Sequence, residues 1–250
     1  MTAVLKVGQR TITAEEIIPL LARYQLLPQL VRELLVDEAI ASVECSPEEL
    51  DAACEQIFLR HQLELPEARQ NWLKSQGQTL ELFRANTLRS FKLEKFKQTT
   101  WGPKLESYFL TRKGQLDRVI YSLIRTQDPG IAQELYFRIQ EGEQSLAELA
   151  AEYSQGPEAQ TGGLIGPVEL TVPAPPLARM LSVSKPGQLW PPTRLGEWFV
   201  IVRLEKFLPV QLDDGVRQRL LNELFNGWLQ EQLAQLGAPD SPDSTPTASQ

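Results

Sequence analysis

A single histidine, two cysteines and no long apolar run limit what this chain can do. His61 stands between Arg60 and Gln62, with no second histidine and no cysteine at ligand spacing. Ser154, Ser182 and Ser184 therefore have no imidazole to activate them, which excludes a histidine-based triad. Cys45 and Cys54 flank the segment Ser46-Pro47-Glu48-Glu49. If Ser46 caps a helix, the two lie about 12 Å apart at roughly 1.5 Å per residue, beyond the roughly 7 Å that a disulfide tolerates. Two buried thiols are the expectation. Glu48, Glu49 and Asp51 read as cap and solvated carboxylates, not an acid–base pair. Positive charge is also scarce: 25 Lys and Arg against 32 Asp and Glu leave a net charge of −7, so there is no electrostatic footprint for nucleic acid. The first ten residues show no basic region followed by an apolar run, and no stretch approaches the roughly 18 apolar residues of a membrane span. Neither a secretory signal nor a span is expected, and the chain is expected to be cytoplasmic.

What the sequence has in abundance is helix punctuation. Val4 to Val7, Gly8-Gln9-Arg10 and Thr11-Ile12 read as a small hairpin. Thr13 with Glu16 forms a capping box, opening a helix whose apolar face is Ile17, Ile18, Leu20, Leu21 and Tyr24. Helical spacing continues from Leu30 to about Val43. Ser46 with Glu49 forms a second box, with Pro47 at the favoured first position, leading through Ile57 and Phe58. Pro66 starts a short helix, Thr79 a longer one through Phe96, and Trp101 to Leu110 reads as another. The character then changes. Arg118 to Ile124 is β-like, Asp128-Pro129-Gly130 marks a turn, and a helix runs to Gly142. Ser145 with Glu148 is a third box, Pro173 to Pro176 reads as irregular or polyproline II, and Trp198 to Leu204 is a strand. Asp213 or Asp214 caps a last amphipathic helix. Residues 237–250 lack apolar bulk and are expected to be disordered.

Five segments in order carry a resemblance. They are Arg118-Val119-Ile120-Tyr121-Ser122-Leu123-Ile124, a helix ending Glu152-Tyr153-Ser154, the turn Thr161-Gly162-Gly163-Leu164-Ile165-Gly166, Lys185-Pro186-Gly187-Gln188, and the strand Trp198 to Leu204. Together they resemble the parvulin family of peptidyl-prolyl cis-trans isomerases. The opening Val-x-Gly-x-x-Ile-Thr pattern, Leu35 to Ala39 and the Ser46-Pro47-Glu48-Glu49-Leu50-Asp51 segment are similar to the amino-terminal module of SurA-like and PrsA-like chaperones. The resemblance implies an α+β fold, a small antiparallel sheet with helices, inserted in or flanked by an all-α module. The implied layout is a helical module at 1–112, an isomerase domain at 115–207, a helix at 211–235 packing on the first module, and the tail.

Prolyl isomerisation needs no proton transfer. Its barrier of roughly 18–20 kcal/mol is the amide resonance lost when the C–N bond twists. A groove that binds the twisted form preferentially lowers it. The family's two facing histidines match Tyr121 and Val200, or Phe199 if the last strand is shifted by one, and its acidic residue matches Leu164. The resemblance places Met180, Leu181 and Phe199, with Trp198, against the proline ring. No His pair exists, and the Gly162 to Gly166 turn lacks the Lys-Ser/Thr of a phosphate-binding loop; no cofactor or metal is expected. The expectation is an isomerase or foldase acting on X–Pro bonds of unfolded or secreted polypeptides, weak for want of the usual polar groups. The alternative is a non-catalytic peptide-binding chaperone or secretion-accessory protein. Expected partners are proline-containing or unfolded segments, with a secretion or transport system as a further candidate.

Overall fold

The computed structural model describes residues 3–237; the tail expected to be disordered lies, beyond Gly237, outside the described residues. Two compact units divide the chain, Met1–Leu105 with Gln218–Gln250, and Glu106–Arg217.

The helical unit opens with strands β1 (Ala3–Val7) and β2 (Arg10–Thr13), paired antiparallel. Helices α1 (Ala14–Arg23), α2 (Leu27–Ile40), α3 (Pro47–Arg60), α4 (Pro66–Ser75) and α5 (Leu80–Trp101) follow. Their starts sit where the caps lie. The Glu16 carboxylate accepts from the Thr13 N–H at 2.8 Å. Ser46 N–H donates to Glu49 at 2.9 Å and Ser46 Oγ accepts from Glu49 N–H at 3.2 Å, reciprocally satisfying two groups that helix geometry leaves open. One core gathers Cys54, Phe58, Leu73 and Phe83, with the Phe58 and Phe83 rings stacked 4.9 Å apart. Both cysteines are free; Cys54 is buried as expected, but Cys45 is only half-buried.

The helix expected over Trp101 to Leu110 is displaced. Trp101 closes α5, a 3-10 turn spans Gly102–Lys104, and α6 runs Leu105–Leu116. Pro103 has no N–H to continue the α5 ladder and its ring clashes with the carbonyl four residues back.

The second unit contains β3 (Arg118–Thr126), α7 (Pro129–Glu141), α8 (Leu146–Tyr153), β4 (Leu164–Glu169), α9 (Pro175–Val183), β5 (Leu189–Leu195) and β6 (Trp198–Leu208). The strands form one antiparallel sheet in the order β4-β3-β6-β5. Asp128 proves to be the cap of α7, accepting from Gly130 and Ile131 N–H at 2.7 and 3.1 Å. Strands β3 and β6 are central and covered on both faces, which explains why apolar residues fall on both faces of each. Val119, Tyr121 and Leu123 of β3, with Val200, Val202 and Leu204 of β6, form one core with Leu177 and Leu181 of α9. Ile124 and Ile201 face the other way, onto Leu135, Leu146, Leu149 and Ala150 of α7 and α8.

Two proline segments take different structures, and the first of them differs from expectation. Pro175 and Pro176 open α9, where first-turn N–H groups have no intrahelical partner to lose. Pro191 and Pro192 lie within β5, an edge strand whose register slips between Trp190 and Thr193, the one sheet position that tolerates them. Gly163 sets the entry to β4. Its carbonyl accepts from Leu123 N–H at 2.9 Å, its φ is +79°, and a Cβ there would stand 2.7 Å from the Leu123 oxygen, so no other residue fits.

The last helix, α10 (Asp214–Leu236), begins under an Asp213 carboxylate that accepts from Val216 N–H at 2.8 Å. From Gln218 onward it belongs to the helical unit. Phe225 and Leu229 are buried there with Val36, against Leu93, Phe96, Trp101 and Trp228. Lys97, also buried, donates to Glu94 at 2.7 Å and Asn222 at 2.8 Å. Among the described residues no helix is long and apolar enough to cross a membrane.

Candidate functional site

One face of the sheet in the second unit carries a cavity of about 280 Å³. Its floor is Tyr121, Leu123 and Arg125 of β3 with Val200 and Trp198 of β6. The pairings Leu123↔Val202 and Arg125↔Val200 put these side chains on one face of the pleat. Ile165 of β4 and Leu195 of β5 form two walls, and Pro173, Ala174 and Leu177, at the entry to α9, form a third. The lining is mainly apolar, with room for a five-membered ring and the peptide bond before it.

Of the residues expected in the site, Tyr121, Val200 and Trp198 meet in this cavity. The other four lie elsewhere. Leu164 pairs with Ser122 while Ile165 pairs with Tyr121, so alternation turns Ile165 into the cavity and leaves Leu164 half exposed on the other face. Phe199 pairs with Thr126, one step out of phase with Val200; Trp198 is the aromatic residue of β6 that lines the cavity. Along α9 the lining residue is Leu177. Leu181, one turn on, is fully buried in the core, and Met180 is half-buried off the cavity. His61 belongs to the helical unit, its ring centroid 5.0 Å from that of Trp72.

The polar end of the cavity was not legible beforehand. Arg125 Nε donates to Glu158 Oε1 at 2.7 Å, and its Nη2 donates to Glu158 Oε2. Glu158 sits in the 3-10 turn Pro157–Thr161 with its side chain 1% exposed, and Oε1 also accepts from Ser154 Oγ at 2.6 Å. Burial is the largest influence on this carboxyl and would raise its pKa. The guanidinium, the Ser154 hydroxyl and the residue's own N–H together outweigh it and hold the group below the usual carboxylate range. Burial pushes the Tyr121 phenol up, so it stays a neutral donor. The Arg125 guanidinium lies 6.0 Å from the centroid of the Trp198 ring. The only available sequence cue was an acidic residue four after Ser154 at the end of a capped helix, which does not by itself reveal a partner 33 residues earlier.

A mainly apolar pocket against a four-stranded antiparallel sheet suits a proline ring, and residues 125–206 match the family model described as Rotamase, PPIC-type PPIASE domain. The chain therefore carries a PPIC-type, parvulin-fold peptidyl-prolyl isomerase domain, with Tyr121 and Leu123 just before the matched span. Among solved structures, it is similar to the peptidylprolyl isomerase PrsA from Bacillus cereus, at 15% identity, over 97% of this chain and 95% of that one, with a TM-score of 0.50. It is also similar to a SurA-like chaperone from Campylobacter jejuni (17% identity, 94% and 95% covered, TM-score 0.37) and to the parvulin domain of PpiD from Escherichia coli (27%, 40% and 97%, 0.34). The first of these likenesses speaks to the fold of the whole chain: a helical unit interrupted by a PPIC-type domain. No curated protein matches the sequence.

Proposed function

We propose that the cavity on the sheet holds the proline ring of X–Pro segments in unfolded polypeptides and accelerates their cis–trans exchange, slowly for a parvulin-type domain. The observation that carries this reading is a mainly apolar cavity lined by Tyr121, Trp198 and Val200, at and within the residues that match the PPIC-type model. Apolar walls favour the twisted amide because it is less dipolar than the planar one. Each tenfold of rate needs only about 1.4 kcal/mol of such preference, so acceleration survives without imidazoles. A pure chaperone role is the second reading, and exposed Tyr24, Leu34, Leu59 and Leu65 of the helical unit offer apolar surface for it. Protease-free NMR exchange measurements on short X–Pro peptides with the full chain separate the two. The isomerase reading expects exchange cross-peaks to grow with protein concentration. Peptide binding with exchange at the solvent rate would support the chaperone alone.

A further inference from the structure

The isomerase reading leaves the polar end of the cavity without a task. Arg125 lines the cavity, yet its guanidinium is held firmly from behind: Nε and Nη2 both donate to Glu158, itself fixed by Ser154 Oγ. The backbone is tied at the same point, with Arg125 N–H donating to Ser154 Oγ at 3.1 Å and Gln155 N–H to the Arg125 carbonyl at 2.9 Å. Nη1 has no hydrogen-bond partner among the described residues. Gly156 supplies a second, independent observation. Its φ of −121° suits any residue, but a Cβ there would collide with Arg125 Nε and both Glu158 oxygens. Glycine at 156 is a matter of space, and the space is filled by this ion pair.

Resting on the isomerase reading, we infer that Arg125 is a catalytic residue that donates from Nη1 to the nitrogen of the twisting X–Pro bond, with Glu158 and Ser154 as positioning residues. In the planar amide the nitrogen lone pair is delocalised into the carbonyl and accepts no hydrogen bond. At a right-angle twist the delocalisation is lost, the nitrogen becomes pyramidal and its lone pair can accept. A donor aimed at that atom therefore binds the transition state and not the ground state. The bond is charge-assisted, which makes it stronger than one between neutral groups. Arginine supplies it at every accessible pH, since the guanidinium does not deprotonate.

The test uses the full chain and a short peptide with one Ala–Pro bond, measuring the exchange rate constant at saturation and the peptide Kd separately by NMR. Arg125→Met should lower the rate constant about ten- to hundredfold and change Kd by less than about twofold. Arg125→Lys, which keeps a donor without the fork, should recover part of the rate. Gly156→Ala displaces the pair without removing charge and should lower the rate alone. Should Arg125→Met fail to fold, Arg125→Lys and Gly156→Ala still decide the matter. Wild-type exchange in Arg125→Met, or in both other variants, would overturn the inference, as would a parallel loss of affinity and rate. A wild-type chain that binds the peptide without exchanging it would overturn the isomerase reading beneath it.

Discussion

Replacing Glu158 by methionine takes one partner from the buried pair and leaves the other in place. The Arg125 guanidinium then has no acceptor, and neither does Ser154 Oγ. Removing half of a buried pair generally costs about 3–5 kcal/mol. Here the Arg125 side chain is 29% exposed, so water partly replaces the carboxylate and the loss should be about 2 kcal/mol. Arg125→Met strands the carboxylate instead, which is 1% exposed; it will take up a proton rather than stay charged, and the loss should be about 3 kcal/mol. The double variant packs two apolar side chains against each other and should cost only about as much as the smaller single change, giving a coupling of about 3 kcal/mol. Urea unfolding at pH 7 of the four full-length proteins measures this cycle. The pH dependence gives a second reading. Because the folded-state pKa of Glu158 lies below its ordinary value near 4.5, its contribution is complete above that value and is lost as pH falls through the lower folded value. The stability gap between wild type and Glu158→Met should therefore hold from pH 7 to about 5 and narrow below about 4.5. Additive single losses, or a gap that persists into acid, would refute the coupling.

Ala174→Trp adds an indole to an exposed lining position of the cavity without touching the buried sheet core. It should weaken peptide binding at least about tenfold while leaving the melting temperature unchanged, as checked by NMR titration and thermal circular dichroism. In the helical unit, Leu229→Ala removes a fully buried side chain between Val36 and Phe225 and should cost about 2–5 kcal/mol in urea unfolding. Leu236→Ala, at an exposed position of the same helix, should stay within about 0.5 kcal/mol of wild type.

Local chemistry was readable from the sequence and lateral placement was not. Thr13, Ser46 and Ser145 each announce a helix start because cap and N3 residue are three apart and satisfy each other's backbone groups. Arg118 to Ile124 and Trp198 to Leu204 announce strands because they are short, mostly apolar and rich in β-branched and aromatic residues. With apolar residues on both faces, the pattern hides which residues line the cavity. Phase then depends on register, which the chain sets through Gly163 and the irregularity between Ile120 and Tyr121, and a one-residue slip exchanges Ile165 for Leu164 or Trp198 for Phe199. Pro175-Pro176 and Pro191-Pro192 look alike in sequence, yet one pair opens a helix and the other lies in an edge strand. The Arg125–Glu158 pair joins a strand end to a turn across a helical pair, a contact that no local pattern encodes.

The central claim is that this PPIC-type pocket twists prolyl bonds without an imidazole. Its polar groups predict a distinctive pH profile. Glu158 titrates below the usual carboxylate range, Tyr121 above the usual phenol range, and Arg125 stays charged throughout. The most direct measurement is the exchange rate constant for a bound Ala–Pro peptide, followed by NMR from about pH 5.5 to 8.5. A rate above the solvent value that stays flat across that range is the predicted result. An inflection near the ordinary histidine pKa of about 6.5, removed by His61→Gln, would contradict it.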